Sequence, residues 1–183
     1  AVGRKDKLEA KIKAVDAKLL SKFPEYFELS SGKPASIREI QGLLGSDEAL
    51  KSFVVTEQST FIWIVTKTGF HFDRVDFGRD DIDQAVSNLR KSLDPGPISN
   101  LSQVPLFDRT SAFDLYEKLF QPYEKYYPEK RHLMVIPDGG LSNIPLGVLI
   151  TAPSNNPIKS HENFSRYRHE NWFAKKYALT VLP

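Results

Sequence analysis

Residues 130–140 read Lys130-Arg131-His132-Leu133-Met134-Val135-Ile136-Pro137-Asp138-Gly139-Gly140, and this stretch decides the fold class. Leu133 to Ile136 is a short, wholly apolar run that follows a basic pair. Such a run has the pattern of a strand buried on both faces, as in a parallel sheet. Pro137-Asp138-Gly139-Gly140 then turns the chain sharply. Tyr177 to Leu182 reads as a second strand of this kind. Between them, Ile144 to Leu149 stays apolar and is predicted as a short helix. Residues 151–169 are polar and read as a loop.

Upstream, the hydrophobic period differs. Leu50, Phe53 and Val55, then Phe61 to Val65, then Phe70, Phe72 and Val75 are rich in aromatic and β-branched residues. Glu57 to Thr60 and Lys67-Thr68-Gly69 separate them as turns, so residues 48–76 form a three-strand antiparallel meander. The strand at 61–65 is apolar on both faces and is expected to be central. Helix patterns flank the meander. Ser36-Ile37-Arg38-Glu39 has capping-box spacing before Ile40, Leu43 and Leu44, and Gly45 is placed to end that helix. Asp80-Asp81 opens a helix at 80–93 with Ile82, Val86, Leu89 and Leu93 on one stripe. Another starts at Ser111-Ala112-Phe113-Asp114, carries Tyr116, Leu119 and Phe120, and meets Pro122. Residues 95–108 read as a loop. The expected class is α/β: N-terminal helices, an antiparallel meander, then helices and parallel-type strands.

Residues 5–22 form a charged helix whose Leu8, Ile12, Val15 and Leu19 make one narrow stripe. Its two heptads are too few for a coiled coil. The stripe lacks Trp or Phe anchors, which argues against a membrane-surface helix. Phe23-Pro24-Glu25-Tyr26 breaks the helix. Residues 1–22 are read as a helical lead-in or linker and 23–183 as the domain.

The 183 residues carry 25 Lys and Arg against 23 Asp and Glu, a net charge of +2. That is too little for a chain that binds nucleic acid by charge as a whole. Cysteine is absent, which excludes disulfides, thiolate metal sites and a cysteine nucleophile within this chain. No apolar run approaches the roughly 20 residues that span a bilayer. A cytoplasmic setting is expected. Ten of the 12 prolines lie at Pro95 or later.

Chemical motifs are few. The chain has no phosphate-binding glycine loop, and Asp138-Gly139-Gly140-Leu141-Ser142 lacks the spacing of a nucleophile elbow. His71 and His132 read as strand-edge or surface residues. His161-Glu162 and His169-Glu170 repeat eight residues apart, whereas a helical zinc site needs histidines four apart. Lys159 to Lys176 holds five basic and two acidic residues with Phe164, Tyr167 and Trp172 interleaved. That pattern suits single-stranded nucleic acid, but the excess of three charges fits a solvated loop better. Asn163-Phe164-Ser165 is a glycosylation sequon without other signs of secretion. No catalytic, cofactor-binding or metal-binding residue is assigned.

Several blocks in order resemble the N-terminal part of the CHAT domain, a caspase- and separase-like group often found behind tetratricopeptide repeats. They are Phe23-Pro24-Glu25-Tyr26, Ser36 to Leu44, Asp47-Glu48-Ala49-Leu50, the strands at 61–66 and 70–75, His132 to Leu146, and Phe173 to Pro183. The resemblance covers residues 20–183. It implies a cysteine peptidase whose His and Cys lie beyond the last block. None of the four histidines matches the family's catalytic position. Gly147 stands where a larger apolar residue is common, and 151–170 resembles an enlarged loop. The expected role is therefore a non-catalytic scaffold. Its partners would be protein: a downstream catalytic half, upstream helical repeats, or a second copy. A regulatory module without peptidase activity is the alternative. Neither nucleic acid nor membrane is expected as a partner. The chain closes on a strand rather than a cap, so a truncated domain is expected.

Overall fold

The computed structural model describes residues 2–23, 34–94, 96–97, 99–153, 165 and 167–183. The chain divides into two compact units, Ala1–Ser36 and Ile37–Pro183. The first carries helix α1 (Val2–Lys22). Of its stripe, Ile12 and Val15 are 54% and 55% exposed and Leu19 is half-buried.

The second unit is α/β, as the periodicities predict. Helix α2 (Ile37–Leu43) leads into β1 (Glu48–Val55), β2 (Thr60–Thr66) and β3 (Phe70–Val75). Helix α3 (Arg79–Leu93) and helix α4 (Arg109–Leu119) follow, then β4 (His132–Ile136), the short helix α5 (Phe173–Lys176) and β5 (Ala178–Val181). The five strands make one sheet in the order β3-β2-β1-β4-β5. The meander pairs antiparallel, with Phe53 opposite Ile62 and Trp63 opposite Phe72. β4 lies parallel to β1, and β5 parallel to β4. β1 is thus the middle strand, and β2 is interior beside it.

One face of the sheet carries the core. Ala49, Phe53 and Val55 on β1, Ile62 and Ile64 on β2, and Leu133 and Val135 on β4 are buried there. Ile82, Val86 and Leu89 of α3 and Ala112, Leu115, Tyr116 and Leu119 of α4 complete it. Aromatic contacts tie the layers: Phe53 meets Phe120 edge-on at 5.5 Å, and Phe120 meets Phe173 at 4.8 Å. Burying one such ring contributes about 1.5–3 kcal/mol.

The opposite face corrects the expectation of strands buried on both sides. β4 alternates, with Met134 and Ile136 only half-buried, and Phe61 and Trp63 of β2 are half-buried likewise. Val54, Phe70 and Phe72 on that side are 45%, 46% and 47% exposed. The apolar side chains shield one another instead: Phe61 stacks on Phe72 at 6.1 Å, and Trp63 tilts against it at 5.1 Å.

Local ends differ in detail from the sequence reading. α4 starts two residues before Ser111, because Asp108 is the true cap and accepts from the Ser111 amide at 3.0 Å. α2 ends without a left-handed Gly45; among the described residues the positive-φ glycines are Gly96 and Gly139. The helix predicted at 144–149 is a single 3-10 turn, Leu146–Val148. Within α3 the Asp81 carboxylate accepts from the Gly78 amide at 3.0 Å, as the acidic first turn suggests. At Gly78 a Cβ would strike the Glu57 backbone, so only glycine fits where α3 crosses the β1–β2 turn.

Candidate functional site

In open α/β sheets, ligands bind beyond the carboxyl ends of the parallel strands. Here that edge is occupied by structural contacts. Asp138 follows β4 and its Oδ2 accepts from the Val55 amide at 2.6 Å. The carboxylate therefore closes the end of β1 rather than facing a ligand. Gly139, at φ +56°, lies over the Val55 side chain. Ser142 sits exposed in the 3-10 turn Gly139–Asn143. Beside it runs a shallow polar groove lined by Asp83, Ser87, Arg90, Asp94 and Asn143. Arg90 spans it, donating to the Asn143 carbonyl at 2.8 Å.

The histidines separate into distinct settings. His71 stacks on Tyr126 at 3.6 Å between ring centroids. His169 is exposed in a 3-10 turn. His161, and the sequon residues Asn163 and Phe164, lie outside the described residues. Among the described residues no group of three His, Asp or Glu could hold a metal ion. Much of the basic-aromatic segment also lies outside them. In its described part, Trp172 packs edge-on against Phe107 at 5.3 Å. Lys175 Nζ donates to the Arg168 and Glu170 carbonyls. Lys176 pairs with Glu124, and Glu170 is buried against Arg109 at 2.6 Å. The aromatic and cationic groups there serve packing within the fold.

Two constellations escaped the sequence reading. The first surrounds Lys51, which is fully buried in the middle strand. Its Nζ donates to the Leu119 carbonyl at the C-terminal end of α4. It also lies 4.4 Å from the Tyr123 ring centroid and 4.6 Å from that of Phe120. Burial holds the amine well below its ordinary pKa, and the Glu124 charge opposes that pull. Around it, burial pushes up the hydroxyls of Tyr116, Tyr127 and Tyr177, with Glu124 adding to the effect. Tyr123 is pushed up to about 12, first by burial and then by Asp73.

The second constellation crosses three strands on the less covered face. His132 of β4 contacts Glu48 of β1 through Nδ1 at 3.1 Å and Thr180 of β5 through Nε2 at 2.8 Å. Glu48 also accepts from the Gly45 amide at 2.8 Å. That amide, followed by the His132 hydrogen bond, lowers the Glu48 pKa. Carboxylate, imidazole and hydroxyl thus stand in a continuous line. The registers explain it: Glu48 pairs with His132, and Thr180 lies one rung further on the same face as Ala178, the partner of His132.

No protein-family model matches the chain, and the curated proteins contain no match to it. Among the described residues, no helix is long and apolar enough to cross a membrane.

Proposed function

We propose that the chain is the non-catalytic N-terminal scaffold of a CHAT-type, caspase-like cysteine peptidase. It would support a downstream Cys–His half and dock upstream helical repeats through α1. The observation that carries this reading is the sheet order. An antiparallel hairpin joins a parallel set β1-β4-β5, with β5 at the outer edge, ready to take a further strand. A cysteine peptidase fold needs neighbouring parallel strands to deliver its base and nucleophile. Here the strand ends carry Asp138, engaged by Val55, and Leu182, and the chain has no cysteine. The chemistry would therefore belong to the other half.

The parent sequence tests this directly. The reading requires a His-Gly pair and a later Cys within one domain length beyond Pro183. Their absence would sink the peptidase role and leave the alternative, a regulatory interaction module. The exposed Ile12 and Val15 favour protein contacts under either reading. An Ile12→Asp/Val15→Asp double variant should retain the far-ultraviolet spectrum of the sheet unit and lose the repeat-array partner in a pull-down. Undiminished capture would show that α1 is not the docking element. A cytoplasmic setting accords with the cysteine-free composition.

A further inference from the structure

We propose that Thr180 is a nucleophilic acyl-acceptor site, activated by His132 and oriented by Glu48. This goes beyond the scaffold role and does not depend on it. A threonine hydroxyl is weakly nucleophilic unless a base takes its proton as it attacks. Here Oγ1 lies 2.8 Å from Nε2 of His132, within proton-transfer reach. Nδ1 of the same ring faces Glu48 at 3.1 Å. That contact places the proton on Nδ1 and leaves the Nε2 lone pair toward Thr180. Glu48 is itself fixed by the Gly45 amide. The three groups arise from three strands, so the sheet registers hold the line without a mobile loop.

The site is also reachable. His132 and Glu48 side chains are 30% and 27% exposed, and Thr180 is half-buried. The same face carries half-buried Leu50 and Met134 on the rung of Thr180. Trp63 lies further along it. These surfaces favour an apolar acyl chain over a charged one. The ligand class is therefore an activated ester of an apolar carboxylic acid. In the step, Oγ1 forms a bond to the acyl carbon and the bond to the leaving alkoxide or phenolate breaks. The hydroxyl proton passes to Nε2 of His132 and then to solvent or the leaving group. The product is an O-acyl threonine.

The full chain is exposed to p-nitrophenyl octanoate or p-nitrophenyl acetate, and peptide mass spectrometry locates the acyl group. Thr180 should be acylated, faster by octanoate than by acetate. Thr180→Val, which keeps shape and strand preference, should lose that adduct, and Thr180→Ser should keep it. His132→Gln retains hydrogen bonding without the base and should slow the reaction by at least about 100-fold. Glu48 is a positioning residue. Glu48→Gln should slow acylation, and Glu48→Asp, which restores the carboxylate, should recover part of the rate. The proposal is overturned by no Thr180 adduct in the unaltered chain, or by a rate that His132→Gln leaves intact. Equal rates for the two esters overturn the apolar ligand class.

Discussion

Lys51 shows how one residue can work against its surroundings. Its strand position is in phase with buried Ala49, Phe53 and Val55, so geometry places an amine in the core. No carboxylate forms an ion pair with it among the described residues, and its hydrogen bond is to a helix-end carbonyl. Replacing a buried charge by an apolar group of similar size is often stabilising, so Lys51→Met should raise the unfolding free energy by about 1–3 kcal/mol. The sign of the pH dependence follows from the same burial. Between the depressed folded-state value and the ordinary 10.5 of a free lysine, the unfolded chain holds a proton that the folded chain releases. Stability therefore climbs with pH across that window. Above the ordinary value of 10.0 for tyrosine the reverse holds. The raised Tyr116, Tyr123, Tyr127 and Tyr177 keep protons that the unfolded chain gives up, and stability falls. Denaturant titrations at several pH values should show a maximum near pH 10. Lys51→Met should remove the climb and keep the fall; an unaltered climb would assign it to another group.

At the scale of elements, local signals transferred well and remote ones did not. The stripe Ile82, Val86, Leu89 and Leu93 announces α3 because helical period and core contact coincide at its first three members, while Leu93 at the helix end is exposed. The meander announces itself through its turn residues. The start of α4 was misplaced because Ser111 and Asp108 both suit a cap, and only the fold shows that the aspartate accepts the Ser111 amide. Met134 and Ile136 looked like two-sided burial because composition reports what a strand could bury, not which faces are covered. Lys51 was legible in principle, as the residue two before Phe53 on an alternating strand. The line Glu48–His132–Thr180 was not. Its members are 84 and 48 residues apart and meet only through sheet register. Asp138 stands between these cases: its turn was visible, but its bond to Val55 was not. That charged acceptor joins the ends of two parallel strands, so Asp138→Ala should cost about 1.5–3 kcal/mol. Asp138→Asn, which keeps an acceptor, should recover part of it. Urea unfolding of both variants measures this, and a neutral Asp138→Ala would mean that Gly139 holds the turn unaided.

For the whole molecule, the decisive question is whether partners use the sheet's edge or its half-exposed face. β5 ends the sheet, and such an edge invites pairing with another strand. The amides of Ala178 and Leu182 donate inward, to Arg131 and Val135 of the β4 segment. Alternation along the strand turns the amides of Leu179 and Val181 toward the outer edge. Val181 is 53% exposed, so proline there removes an outward donor and leaves the inner ladder intact. Edge strands tolerate proline on the solvent side, and Val181→Pro should cost no more than about 1 kcal/mol. If a strand of a catalytic half or a second copy adds to β5, Val181→Pro should abolish the association seen by light scattering. Phe72→Lys on the opposite side of the sheet should leave it unchanged. The reverse outcome, association lost with Phe72→Lys and retained with Val181→Pro, would move the interface to the aromatic face. The scaffold reading would then lose the strand addition on which it rests.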